Sequence, residues 1–326
     1  MSLVSNLSVR FSAKFRRQSV AAGALLFTLA LLFTLGLIEI ELDIAHAGRN
    51  TYSNAELTSV ETENEAQVRA LREQEITQLK IAAQRDLPLA QRADLYFRLA
   101  ELHLEGYRAT YFLEGRVHER RYEHGARDRV IDRSHSRPFL EKGVAACQSI
   151  LKLGVQYEKL DRVYFFLGYY YSELGDVIES ANYYEKLVRI FPGSPFSQEA
   201  LQELGDFAFG EKRYLEARDY FEAAVKISVD PGSGSHKSSP RARLYHKLAW
   251  SYYKTRVFDK ATTTMKEAVV FASQDLEKFL SLRDEALRDL AIFMAETGNV
   301  KEEVGYFKKI TSDANYLPRI LEKLGK

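Results

Sequence analysis

Beyond about residue 90, apolar residues recur three and four apart, the spacing that places them on one face of a helix. The clearest block holds Tyr164, Leu167, Gly168 and Tyr171, passes Gly175, continues through Tyr184 and Leu187, and stops at Pro192. This pattern predicts two helices that face each other along apolar stripes, with the small Gly168 allowing close approach. The block returns. Leu201, Leu204, Gly205 and Ala208 precede Tyr214, Ala217, Phe221 and Ala224. Tyr245, Leu248, Ala249 and Tyr252 precede Phe258, Ala261, Met265 and Ala268. Leu287, Leu290, Ala291 and Met294 precede Gly298, Phe307 and Ile310. The small residues Gly168, Gly205, Ala249 and Ala291 mark equivalent points, separated by 37, 44 and 42 residues. A hairpin of this size cannot bury its apolar face alone, so its copies must stack. The predicted fold is all-α, a solenoid of stacked antiparallel helix pairs.

The surplus residues sit between the hairpins. Asp230–Pro240 (DPGSGSHKSSP) reads as a Gly/Ser/Pro linker, Gly193–Ser194–Pro195 as a turn, and residues 273–281 as a longer join. An earlier, interrupted copy spans 91–157. Its first helix holds Tyr96, Leu99, Ala100 and His103, and its second covers about 138–152, with Cys147 and Ile150 inward. Between them lies an insertion, 107–136, read either as an extended helical arm or as a mobile loop. From Arg108 to Arg137 there are eight arginines against five acidic residues, with His118, His124 and His135. Residues 48–90 form a charged lead-in, helical over 55–87, and more in keeping with a solvated cap than with a coiled coil because no strict heptad holds. The paired copies occupy 158–229 and 241–312.

Numbered within a 34-residue unit, the residues from Tyr164 to Pro192 fall at positions 4, 7, 8, 11, 15, 24, 27 and 32. That spacing resembles the tetratricopeptide signature. The resemblance implies a curved scaffold that binds other proteins, its concave surface lined by the first helices at positions 2, 5, 9, 12 and 13. Those positions map to Phe165, Tyr169, Ser172 and Glu173; to Gln202, Asp206 and Phe209; to His246, Trp250, Tyr253 and Lys254; and to Arg288 and Ile292. Tyr169, Phe209, Trp250 and Tyr253 would then form an aromatic track suited to anchoring a partner. The competing reading packs these rings against neighbouring helices. Tyr164, Tyr171, Tyr184, Tyr245 and Tyr252 fall at core positions.

The N-terminus changes the setting. Arg10, Lys14, Arg16 and Arg17 precede an uncharged run, Gln18–Ile38, which is followed by Glu39, Glu41 and Asp43. The run is long enough to span a bilayer, and Ala45-His46-Ala47 has the small-x-small pattern of a signal-peptidase site. Residues 1–47 are therefore a cleaved signal peptide or a retained membrane anchor, and either exports the body to the periplasm or envelope. Without residues 1–47, four basic and three acidic side chains leave the totals of 46 and 45, giving 42 of each. A neutral body argues against nucleic acid as a partner.

Candidate chemistry is sparse. One cysteine excludes an internal disulfide, and Cys147 reads as a small core residue. The insertion histidines lack metal-ligand spacing. No phosphate-binding glycine loop, nucleophile elbow or HExxH motif occurs. The expectation is a binding protein, not an enzyme, with no cofactor and no metal.

LYFRLAELHLE (95–105), VYFFLGYYYSELG (163–175), RARLYHKLAWSYYK (241–254) and LRDEALRDLAIFMAETGN (282–299) together resemble the tetratricopeptide proteins associated with adventurous gliding motility in myxobacteria and related predatory or soil bacteria. The resemblance covers most of 70–326, including an insertion in the first hairpin. It implies an envelope protein that scaffolds a multiprotein machine by binding other envelope proteins or peptides, with no catalytic residues to carry over. An alternative is an envelope-maintenance factor that coordinates outer-membrane protein assembly or peptidoglycan synthesis. A third reading attaches a catalytic domain beyond Lys326. Leu321, Leu324 and Gly325 fit the start of a further repeat at 313–326, or a capping helix.

Overall fold

The structure, a computed structural model, describes residues 51–127, 130–229, 238–274, 276–297 and 300–310. The signal or anchor segment, Asp230–Lys237 of the linker, Gly298 and the segment 313–326 lie outside the described residues. Among the described residues there is no strand, and no helix is long and apolar enough to cross a membrane. They form two compact units. One combines 51–71 with 106–138; the other combines 72–105 with 139 onward.

The first unit is built on capped helix starts. Helix α1 (Asn54–Val60) begins where the Ser53 hydroxyl accepts the Glu56 N–H and the Glu56 carboxylate accepts the Ser53 N–H at 2.8 Å. Helix α2 (Glu63–Ala83) begins the same way, Thr62 exchanging hydrogen bonds with Glu65. Each is a reciprocal capping box. The single charged helix expected over 55–87 is therefore two, broken at 61–62 because Thr62 offers a start that competes with continuation. The same carboxylates pair with arginines of helix α3 (Leu89–Glu123), Glu56 with Arg121 and Glu65 with Arg116, each at 2.7 Å. Hydrogen bonds from these guanidiniums, then from the cap backbone, hold both carboxyls down at about 2. Tyr52 is buried, its N–H donated to Asp132, its hydroxyl 3.1 Å from His118 Nδ1, its ring under the Arg121 guanidinium.

The insertion is thus helical through Glu123, and its return segment is tied back. Glu114 on α3 is fully buried, and its carboxylate accepts the N–H groups of His135 and Ser136 at 3.0 and 2.9 Å, with Arg133 at 3.4 Å. Arg133 also lies over the Tyr111 ring. Arg116, Arg121 and Arg133 of the insertion serve these ties.

The second unit is a row of helix pairs. Residues 89–105 of α3 pair with α4 (Arg137–Lys152), burying Ala100, Leu102, Leu140, Cys147 and Ile150. Burial raises the Cys147 thiol far above its ordinary range, so it is not a nucleophile at neutral pH. The following pairs are α5 (Leu160–Glu173) with α6 (Val177–Ile190), α7 (Ser197–Gly210) with α8 (Tyr214–Val229), α9 (Ser238–Lys254) with α10 (Phe258–Ser273), and α11 (Leu276–Thr297) with α12 (Val300–Ile310). Two boundaries differ from expectation. Helix α9 takes in Ser238–Pro240, because a proline in the first turn loses no intrahelical bond. Helix α11 starts at Leu276, so most of the surplus expected as a join at 273–281 becomes helix.

The register at position 8 is fixed by rings at position 24. A methyl group on Gly168 would stand 2.5 Å from Cε1 of Tyr184, and one on Gly205 2.5 Å from Cε1 of Phe221. The first helix of each pair (A, its partner being B) also carries a second apolar stripe. Val163, Ala200, Leu244 and Ala286 at position 3 are fully buried, as are Tyr170, Ser251 and Phe293 at position 10. This stripe meets the preceding hairpin: the Tyr170 hydroxyl donates to the Ala100 carbonyl at 2.6 Å, and the Tyr170 ring fills the space over Gly143. Tyr171, expected in the core, is half-buried; it stacks on Tyr183 and accepts a hydrogen bond from Gln148 at 3.0 Å. Tyr164 and Tyr245 are half-buried as well.

Three A-to-B turns share one backbone solution. The N–H of Asp176, Arg213 and Val257 each reaches the carbonyl five residues back, and the residue before each is left-handed: Gly175 at φ 83°, Lys212 at 60° and Arg256 at 61°. This is the Schellman ending, in which a side chain is disfavoured. Replacing Lys212 or Arg256 by glycine relieves that strain at some loss of unfolded-state restriction. Each change is expected to stabilise by roughly 0.5–1 kcal/mol and to raise Tm by about 2 °C. A thermal melt that falls for both would show that the strain is not real.

Candidate partner-binding face

The first helices α5, α7, α9 and α11 carry the residues expected to line the groove. They are not equally available. Phe165 stacks on Phe196 at 4.9 Å and lies 5.9 Å from Tyr184. Phe209 packs edge-on against Tyr214 at 5.1 Å. Trp250 and Tyr253 form one cluster with Phe293 of the next A helix, Tyr253 stacking on it at 4.5 Å and Trp250 meeting it edge-on at 5.0 Å. Ile292 is half-buried against the same core. Tyr169 and Gln202 are half-buried. The four rings of the expected aromatic track are therefore packed into their own or adjoining hairpins, with part of their surface left open.

The polar residues of this face also stitch neighbouring hairpins. Asp206 of α7 forms an ion pair with Lys247 of α9. His246 and Trp250 of α9 both reach Asp289 of α11: His246 Nε2 lies 2.7 Å from Oδ2, and the Trp250 indole N–H donates to the same oxygen at 2.8 Å. A rule connects these pairs, since position 5 or 9 of one hairpin meets position 6 of the next. Phe97 and Phe166 obey it too, their rings stacked at 5.5 Å. The sequence missed position 6, and its signal was there: Lys247 and Asp289 are the charges opposite Asp206 and His246 one repeat on. The second helices are linked similarly. Tyr220 of α8 donates to Glu185 of α6 at 3.4 Å, and burial raises that carboxyl. A first helix also reaches a second one, Tyr252 of α9 donating to Glu222 of α8 at 2.6 Å.

The exposed members of the face are Ser172, Glu173, Lys254 and Arg288. Lys254 extends along Trp250, its Nζ 5.4 Å from the ring. Of possible metal ligands, His246, Glu285 and Asp289 offer donor atoms within 4.8 Å of one another. Asp289 already takes two hydrogen bonds there, so the group is accounted for as a junction between hairpins. The insertion histidines are separately engaged, His118 with Tyr52, His124 with the Arg120 carbonyl and His135 with Ser134.

A sequence model of the tetratricopeptide repeat matches residues 161–194 and 198–228. Residues 161–194 and 198–228 are tetratricopeptide repeats. The matched spans start at the units defined by Gly168 and Gly205. Among solved structures, BtubC (BKLC) from P. vanneervenii is similar at 14% identity and TM-score 0.51, covering 81% of this chain and 93% of that one. The kinesin-light-chain-like repeat protein of Podosopora anserina matches at 19% identity and TM-score 0.41, over 56% of this chain and 87% of its own. RapI in its apo form matches at 16% and 0.46, over 78% and 81%. No curated protein matches the sequence. Tetratricopeptide arrays are protein-interaction scaffolds, typically without catalysis, and they bind protein partners.

Proposed function

We propose that this tetratricopeptide protein is an exported scaffold of a bacterial envelope complex, receiving a partner protein or extended peptide along its A-helix face, in a machine of the gliding-motility type. The observation that carries the binding face is the run of A helices whose aromatic and charged positions, including Trp250, Tyr253, Lys254 and Arg288, remain partly or fully open. Export is supported by the basic flank, the uncharged run Gln18–Ile38 and Ala45-His46-Ala47. The envelope setting is supported by the four segments that resemble gliding-motility proteins.

The test is photocrosslinking in cells from Ser172 and Lys254, which are exposed and lie two hairpins apart. Trp250 and Tyr253 are poorer sites, because a change there also loosens the α9–α11 junction. Both positions are expected to capture the same envelope protein. Adducts confined to this chain, or to cytosolic proteins alone, would sink the reading.

A further inference from the structure

We propose that a pocket between α5, α6 and α7 binds a lysine or arginine side chain presented by an extended segment of the partner protein. This deepens the scaffold reading and rests on it. The pocket encloses about 170 Å³, room for one side chain. Its floor is apolar, formed by Val177, Ala181, Leu204 and Phe207. That surface suits the methylene stem of a long cationic side chain. It opens beside Ser172 and Asp206, both on the A-helix face.

Two hydroxyl-bearing side chains stand in its wall. Ser180 and Tyr184 line the pocket, and the two residues are only 4% and 3% exposed. Among the described residues, neither hydroxyl has a hydrogen-bond partner. Each has an acceptor lone pair to offer a cation.

The two charged residues that line the pocket are both acidic. Glu203 and Asp206 line it, and Glu173 and Glu199 stand close enough to act on the Tyr184 phenol, which burial first and these carboxylates next push well above its ordinary range. Asp206 is occupied by Lys247. Glu203 has no ion pair among the described residues. It is open to solvent, yet desolvation by its crowded surroundings and then the Asp206 charge raise its carboxyl above the usual range, with the Lys247 ammonium acting in the opposite sense. An incoming ammonium or guanidinium would relieve that repulsion and supply donors to carboxylate and hydroxyls together. An anion would be repelled, and a neutral side chain would leave Glu203 unpaired.

The experiment selects a heptapeptide phage library on the full chain, then measures selected peptides by fluorescence anisotropy. The winning peptides are expected to share a lysine or arginine. Replacing it with norleucine should weaken binding at least tenfold, and Glu203→Gln should do the same to the parent peptide while leaving the melting temperature unchanged. Glu203→Lys should instead prefer the peptide carrying glutamate at that place. Peptides that tolerate norleucine, or that bind Glu203→Gln as well as wild type, overturn the pocket. If such peptides still lose affinity on Lys254→Glu, the scaffold reading stands without it. If no selected peptide responds to either substitution, both readings fall.

Discussion

Tyr170→Ala is expected to cost about 3–5 kcal/mol, the range for removing a buried aromatic ring. Tyr170 is fully buried where α5 meets the preceding hairpin. Its ring fills the space above Gly143, where a methyl group would lie 2.5 Å from the Tyr170 Cζ. Its hydroxyl ends on the Ala100 carbonyl. Alanine would empty that space and separate the interrupted first hairpin from the rest of its unit. Tyr170→Phe keeps the ring and loses one hydrogen bond, so about 1 kcal/mol is expected. Gly143→Ala attacks the contact from the other side by overpacking and should cost about 1–3 kcal/mol. Urea unfolding of the three variants gives the ordering. If Tyr170→Phe proves as damaging as Tyr170→Ala, the hydroxyl and not the ring holds the junction.

Glu114→Ala is expected to be nearly as severe in the first unit, about 3–5 kcal/mol, the range for breaking a buried charged pair from one side. Glu114 is the acceptor for two backbone N–H groups and for Arg133. Without the carboxylate, the two backbone N–H groups would have no described partner in its place, Arg133 would keep the Tyr111 carbonyl at 2.9 Å, and the return segment would lose its principal anchor. Amide exchange at His135 and Ser136 should accelerate strongly, and trypsin should cut at Arg127 or Arg133. Unchanged exchange there would mean that Arg133 on Tyr111 and Asp132 on Tyr52 hold the segment without Glu114. Glu114→Gln retains an acceptor oxygen and should fall between.

The repeat was legible because two requirements coincide at a fixed spacing. Gly168 and Gly205 must be small, and Tyr184 and Phe221 must be large, since each ring occupies the room that the missing Cβ leaves. Any sequence that satisfies this twice declares its register. The second stripe, at positions 3 and 10, was less visible because its residues range from Ala286 to Tyr170: they fit whatever the preceding hairpin leaves, so no residue type repeats. That is why Tyr171 looked like core while its neighbour Tyr170 was the buried one. The binding face was legible as a set of positions but not as free surface. Periodicity says which side of a helix Trp250 occupies; it does not say that Asp289, 39 residues on, accepts its indole N–H. The break at 61–62 was readable, since Ser53 with Glu56 and Thr62 with Glu65 are two copies of one helix-start pattern.

Cys147 has a consequence for where this chain can fold. It is the one thiol in the sequence, sealed in the interior and held protonated by its surroundings. The body gains nothing from an oxidant and loses nothing to a reductant. Its maturation therefore requires no thiol oxidase or isomerase, and the same packed body is available on either side of a membrane.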